Sequence, residues 1–359
     1  MLANAAVVHT SRWVEHFRAR GHEVGLWSLE EGAPSLEVRR VPRLPLPGLL
    51  RYPLAAPALA RALADFDPDL VNAHFVPNYG LLGVLAGRRP LVVAAWGSDL
   101  LVVGRSDPLR RARTRFVLRR ADLVIADSEN LAAAARELGA AASRVVALPW
   151  GVDLERFRLA GAHEPGLLLS TRMHEPVYDL PLVIEAAARV LGEVPDTRLV
   201  VAGDGRQRPA LERLAAQRLP AGRYTFTGML APRELAGWLG RAAIFLSAAR
   251  SDSTSVSLLE AMACGVIPVV CDLDGNREWV AEGEGARLFR AGDPADAARA
   301  IARALADPGW AAAARARNRA VVEARANWTT NMARVEALFE SCIADRAPAP
   351  RGAPGRDAR

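Results

Sequence analysis

The feature that most constrains this chain is a repeated alternation of short apolar runs with helical stretches, present in both halves. In the first half Trp13–Arg20 reads as a helix stopped by Gly21, and His22–Trp27 as a strand. Pro57–Phe66 (helix), Leu70–His74 (strand), Leu81–Ala86 (helix) and Leu91–Ala95 (strand) follow, then Pro108–Arg120, Leu123–Ala126, Leu131–Leu138 and Val145–Leu148 in the same alternation. The second half repeats it from Gly166–Ser170 through Leu182–Leu191, Arg198–Ala202, Pro209–Ala216, Tyr224–Gly228, Leu235–Arg241 and Ile244–Ser247. Strands that alternate with helices form parallel sheets covered on both faces, so the expected class is α/β. With 359 residues the chain is too long for one ordinary core and should hold two such domains.

Composition narrows the function classes. A hydrophobic content of 51% and a charged content of 24% fit a globular protein. The net charge of +6 favours anionic partners, and the sequence contains no lysine, so all 46 basic residues are arginine. No aromatic RNA-binding motif, zinc-ligand spacing or helix-turn-helix pattern points to nucleic acid. Cys264, Cys271 and Cys342 form neither a CxxC pair nor an even framework, which fits a reduced, cytoplasmic protein. No apolar run reaches the length of a spanning helix, and the first residues lack signal-peptide character.

The chemistry concentrates in Ser251–Val270, SDSTSVSLLEAMACGVIPVV. A serine-rich loop runs into a helix that ends at Gly265, followed by the apolar run Ile267–Val270. A helix N-terminus behind small polar residues suits a phosphate, because unpaired N–H groups and the helix dipole both favour an anion. A carboxylate in the first turns, here Glu260, can take hydrogen bonds from a diol. The competing reading is an ordinary capped helix.

This stretch resembles family 4 of the retaining, nucleotide-sugar-dependent glycosyltransferases, in which two glutamates flank seven residues and the helix continues as LEAMACG-x-PVV. Leu259–Gly265 matches that run, while the first acid is Asp252, one methylene shorter. HTSRWVEHFRARGHEV, RRADLVIADSE and LPWGVDLERF resemble other segments of the same family, so the likeness covers roughly residues 4–342. It implies a GT-B architecture of two facing Rossmann-like doubly wound domains. These are an acceptor-side domain over residues 1–155, a nucleotide-sugar domain over 156–330, a returning helix over 331–346 and a disordered tail over 347–359. The family's full first strand is replaced here by Met1–Ala3, so a truncated start is expected.

The resemblance assigns roles residue by residue. Glu260 should hold the ribose, and Asp252 the donor-sugar hydroxyls. Ser253, Thr254, Ser255, Val256 and Ser257 should offer N–H groups and hydroxyls to the diphosphate. Arg172 should neutralise the departing nucleoside diphosphate, the main catalytic demand. Six positions on, relatives carry a lysine; here the residue is Tyr178, so neutral hydrogen bonds or another arginine, such as Arg250, must compensate. Gly203, Gly205, Gly228 and Met229 should shape the donor and base pocket, with Asn4 near the diphosphate. His74 stands in for the usual sugar-contacting histidine, whose place Trp96 takes; Asp99, Trp96 and His9 lie on the acceptor side.

The implied activity is retaining transfer of a hexose-type unit from a UDP- or GDP-type sugar to a glycan or lipid-linked acceptor, in polysaccharide or lipopolysaccharide synthesis. Neither metal nor other cofactor is expected. The basic helix Arg110–Arg120 reads as a solvated face or as a peripheral contact with anionic membrane at the inner face of the cell membrane. Two rival readings share the fold: a non-hydrolysing nucleotide-sugar 2-epimerase, and a degenerate nucleotide-sugar-binding scaffold.

Overall fold

The computed structural model describes residues 1–345 except positions 43, 44, 47, 160, 162 and 195. The expected tail over 347–359 therefore lies outside the described residues. Two compact units emerge. One contains Met1–Ala126, Ala132–Ala147 and the segment from Ala333 onward; the other contains Asp127–Leu131 and Leu148–Met332.

The first unit is built on strands β1 (Leu26–Ser28), β2 (Val38–Arg40), β3 (Val71–His74), β4 (Leu91–Ala95), β5 (Leu123–Ala126) and β6 (Val145–Ala147). They pair in parallel as β2-β1 and as β3-β4-β5-β6. Leu2 joins the two sheets by bridging Trp27 on one side and Ala73 on the other. Its N–H donates to Asn72 O at 2.7 Å and its carbonyl accepts from His74 N at 2.9 Å, while Trp27 N donates to Met1 O at 2.9 Å. Met1–Ala3 thus fill the place between β1 and β3 where a doubly wound sheet has its first strand. The strand expected over His22–Trp27 starts only at Leu26. The helix expected from Pro57 begins at Gly48 and carries Pro53 and Pro57 inside it. Proline lacks an N–H and argues for a helix start, which is why sequence reasoning sets the boundary late.

The second unit holds β7 (Glu164–Ser170), β8 (Arg198–Ala202), β9 (Tyr224–Gly228), β10 (Ala242–Ser247), β11 (Ile267–Cys271) and β12 (Arg287–Phe289). All pair in parallel in the order β12-β11-β10-β7-β8-β9. Side chains alternate across this sheet. Leu168, Leu199, Ile244 and Val269 enter the core on one face, and Leu167, Leu169, Val200, Phe245 and Val270 the core on the other. Both faces are covered, which explains the unbroken apolar runs. Burying each such leucine or valine contributes roughly 1.5–3 kcal/mol.

The order reverses between β7 and β10. Successive strands leave β7 toward β9 on one side, and from β10 toward β12 on the other. Helices therefore pack on opposite faces from these two strands, and the carboxyl ends at such a reversal are the usual ligand position in sheets of this kind.

Leu148–Asp153 belongs to the second unit, earlier than the boundary expected at Arg156. Val152 N donates to Ala326 O at 2.7 Å, Trp328 N to Val152 O at 3.0 Å, and Asn331 Nδ2 to Pro149 O at 2.8 Å. Gly151 makes that approach possible: its φ is +88°, and an added Cβ would lie 2.4 Å from Ala326 O. Gly292, at φ +77°, faces open space. Gly151→Ala should therefore lose about 2 kcal/mol more stability than Gly292→Ala in denaturant titration, since backbone overlap adds to the left-handed strain. Equal losses would show that the Ala326 contact yields freely.

Candidate active site

β7 ends at Ser170 and delivers Arg172 to the strand-order reversal. β10 ends at Ser247 and leads through Asp252 to the helix Val256–Ala263. The two segments meet. Arg172 Nη2 lies 2.6 Å from Asp252 Oδ2, Arg172 Nη1 donates to Ser255 Oγ, and the guanidinium sits 4.2 Å from the centre of the Tyr178 ring. Arg172 is buried, at 6% side-chain exposure. Burial raises the Asp252 carboxyl above the ordinary carboxylate range, against the opposing pull of Arg172.

Ser255 caps the helix, accepting from Leu258 N at 3.3 Å. Along the helix Leu258, Leu259, Ala261, Met262 and Ala263 are buried, while Val256, Ser257 and Glu260 are half-buried. Those three lie one, three and four residues apart and share one side, so the helix shows Glu260 and its own first turn along a single accessible stripe. The remaining loop residues turn away: Ser253 Oγ donates to Asp127 Oδ2 at 3.0 Å and Thr254 Oγ1 to Asp127 O at 2.5 Å. Both are buried, so their hydroxyls hold the loop in shape.

The glycines act as spacers. An added Cβ at Gly203 would lie 2.7 Å from Arg172 O. Gly203 N donates to Gly228 O at 2.8 Å, tying the ends of β8 and β9 together. Gly205 N donates to Asp204 Oδ1 at 2.7 Å, and Met229, just past Gly228, is exposed. Arg250 is engaged elsewhere: Asp179 pairs with it at 2.8 Å.

Sequence reasoning missed several supports. Asp127 anchors the serine loop. Glu278 accepts from Glu129 N at 2.9 Å and Asn130 N at 2.7 Å, capping the helix Glu129–Glu137. A Cβ on Gly275 would lie 2.3 Å from Ser253 O, so that glycine admits the loop backbone. His174 is buried against Phe226, with ring centres 6.0 Å apart, and its main chain is bonded to Asp204. The ADSE run was the one available signal, without any indication of its partner.

The first unit gathers its own candidates at the carboxyl ends of its strands. Asn4, His74 and Trp96 line a cavity of about 220 Å³ together with Tyr52, Phe75, Asn78 and Tyr79. Arg113 flanks this lining, 5.5 Å from the Tyr52 ring centre, with Nη2 donating to Asn78 Oδ1 at 3.3 Å. His74 packs edge-on against Trp13 at 4.6 Å and Trp96 at 5.5 Å, and His9 against Trp96 at 5.8 Å. Asn4 turns its own backbone, Oδ1 accepting from Ala6 N at 2.9 Å. Asp99 is not among the residues that line this cavity. It is fully buried and accepts from Val76 N, Trp96 N and Leu100 N at 3.0–3.1 Å, a role in holding the loop. Burial pushes its carboxyl up to about 6.

Two family descriptions match the chain: "Glycosyltransferase Family 4" over residues 6–156 and "Glycosyl transferases group 1" over residues 164–307. The D-inositol 3-phosphate glycosyltransferase of Geodermatophilus obscurus is 32% identical over 320 residues, spanning 77% of this chain and 70% of that one. The chain belongs to the family 4 glycosyltransferases. This glycosyltransferase is also 28% identical to a GDP-mannose-dependent α-(1-6)-phosphatidylinositol monomannoside mannosyltransferase of Mycolicibacterium smegmatis, over 84% of each chain. Its fold matches that of Anabaena HepE in complex with UDP-glucose, with a TM-score of 0.81 and 18% identity over 95% of this chain and 98% of that one. Sucrose-phosphate synthase from Thermosynechococcus elongatus gives a TM-score of 0.81 at 20% identity, over 94% and 93%. The GT-B architecture inferred from the sequence therefore holds.

Burial drives His74 down to about 3 from an ordinary 6.5, so it stays neutral in the folded protein while the unfolded chain takes up a proton. Its stability contribution is complete above about pH 6.5 and is lost as pH falls from there toward about 3. At about pH 5.5 the loss amounts to about 1.4 kcal/mol. Asp99 acts with the opposite sign, gaining as pH falls through about 6, and cancels in a comparison of variants. His74→Gln should therefore lose about 1.4 kcal/mol less than the wild type between about pH 7.5 and 5.5. Identical losses would show that His74 titrates freely in the fold.

Proposed function

We propose that this glycosyltransferase moves a hexose-type unit, with retention, from a UDP- or GDP-type sugar to a glycan or lipid-linked acceptor. One observation carries the donor half of this reading: Arg172 at the carboxyl end of β7 meets the capped N-terminus of the Val256–Ala263 helix at the strand-order reversal. A guanidinium and a helix N-terminus suit the two negative ends of a diphosphate and stabilise it as it leaves. Glu260, on the accessible stripe of that helix, is the ribose ligand. With the leaving group neutralised by Arg172 and backbone N–H groups, the reaction needs no divalent cation. A departing phosphate held there assists deprotonation of the acceptor hydroxyl, so no carboxylate is required as nucleophile.

The acceptor half rests on the cavity around His74 and Trp96. Aromatic rings offer faces for a sugar or polyol, and Asn4 and Asn78 offer amides. The names of both relatives above contain inositol, and a hydroxyl-rich ring of that kind suits this lining. The helix Pro108–Arg120 buries Thr114, Val117 and Leu118 and exposes Leu109, Arg110, Arg111, Arg115, Arg119 and Arg120. It offers a peripheral contact for an anionic bilayer; among the described residues no helix is long and apolar enough to cross one. Flotation with vesicles containing phosphatidylglycerol should recover the wild type and lose an Arg111→Gln, Arg115→Gln, Arg119→Gln variant. Equal recovery would make this helix a solvated face.

The donor assignment is tested by thermal shift with nucleoside diphosphates and their sugars in excess chelator. A ligand at about 100 times its dissociation constant adds about 2.7 kcal/mol of stability. One base should stabilise the wild type and fail with Glu260→Ala, and sugar transfer should persist in the chelator. Interconversion of the nucleotide sugar without transfer would favour the epimerase reading, and binding without turnover the scaffold.

A further inference from the structure

The guanidinium that the donor reading assigns to the diphosphate is already engaged. Asp252 Oδ2 holds Nη2 at 2.6 Å, Ser255 Oγ accepts from Nη1, and the Tyr178 ring covers one face. The neighbouring cation Arg250 is held by Asp179 at 2.8 Å. The Arg172–Asp252 pair therefore carries no net charge toward an incoming anion. Asp252 is itself tied down through Oδ1, which accepts from Ser253 N at 3.2 Å. Its side chain is 16% exposed.

A diphosphate that takes Nη2 must displace a carboxylate that has little water to turn to. Uncompensated, two anions around one guanidinium repel strongly in such a setting. The displaced carboxylate is relieved only by new hydrogen-bond donors. Sugar hydroxyls attached to the diphosphate supply them within the same ligand; a free nucleoside diphosphate does not. Resting on the donor reading above, we infer that Asp252 is a specificity-determining residue that competes with the diphosphate for Arg172, so that the site favours the sugar-loaded donor over the free nucleoside diphosphate. A site built this way also expels its own product. Once the sugar has left, Asp252 loses its hydroxyl partners and returns to Arg172.

Aspartate suits this task by its length. It reaches the guanidinium from a loop whose backbone is fixed by the Asp127 contacts and by the close passage of Gly275. A residue that only gathered sugar hydroxyls would leave the affinity for free nucleotide unchanged when neutralised. One that only supported the fold would lower it.

The test is titration calorimetry of UDP, GDP and the matching nucleotide sugars against the full-length wild type, Asp252→Asn and Asp252→Ser. Asp252→Asn removes the competing charge and keeps the shape. It should bind the free nucleoside diphosphate about tenfold tighter, the size expected for one screened like-charge contact at partial burial. The nucleotide sugar should gain nothing or bind more weakly, so the preference for the loaded donor shrinks by at least that factor. Product inhibition should strengthen in parallel. Asp252→Ser gives the same reading if the asparagine variant is unstable. If the wild type binds a nucleotide and both variants bind free nucleoside diphosphate equally or more weakly, the inference is wrong while the donor site stands. If the wild type binds none of these ligands at millimolar concentration, the donor reading fails and this inference with it.

Discussion

The pairing of β7 with β10 is the constraint on which the donor-side geometry depends. Phe245 lies beside Leu169 and Ile244 beside Leu168, although 76 residues separate each pair in sequence (245 − 169 and 244 − 168). Because these strands lie side by side and parallel, both chain segments emerge at one edge. One brings a cation and the other a serine loop with a helix N-terminus. Under the donor reading proposed above, neither segment could hold a diphosphate alone: Arg172 would be a lone surface charge and the loop an ordinary cap. Leu167, Leu168, Leu169, Ile244 and Phe245 are essentially inaccessible to solvent. The register is fixed because a slip by one residue would exchange the two buried faces.

Around that edge the polar groups fall into two kinds. Some are spent on architecture: Ser253 and Thr254 on Asp127, Glu278 on a helix N-terminus, Asp99 on three backbone N–H groups. Others lie half-buried along one side of a helix, as Ser257 and Glu260 do, with Glu260 holding an interaction of its own. The division follows from burial. A fully enclosed hydroxyl or carboxylate must find a partner within the fold, and a backbone donor is the nearest one. Rigid loops with satisfied polar groups are what a site needs if its remaining groups are to meet a ligand without first being ordered.

Much of this was legible in the sequence, for reasons that differ by residue. The alternation of apolar runs and helices is a local signal, and it marked the strands other than Val38–Arg40 and Arg287–Phe289, which carry too few apolar residues to stand out. Arg172, the serine loop and Gly203 were legible because each sits at a strand end within a recognisable run. Asp99 was legible as a strand-end carboxylate but not as an inward-facing one. Its acceptors' partners come from its own turn and from Val76, and only the folded loop decides which way the side chain points. Asp127 and Glu278 were not legible as supports, because their partners lie more than a hundred residues away along the chain. The strand expected from His22 starts only at Leu26, and a Cβ on Gly25 would lie 2.6 Å from the Trp27 ring, a constraint that apolar periodicity does not encode.

Tyr178 covers Arg172 at the position where the family resemblance implies a lysine. An aromatic face holds a guanidinium without neutralising it, and it has no titratable ammonium of its own. The group that Tyr178 covers is a guanidinium already paired with Asp252. It is also out of reach of acylation or any other chemistry directed at side-chain amines. A chain that has 46 arginines and no lysine offers no side-chain amine to such chemistry at any of its positions.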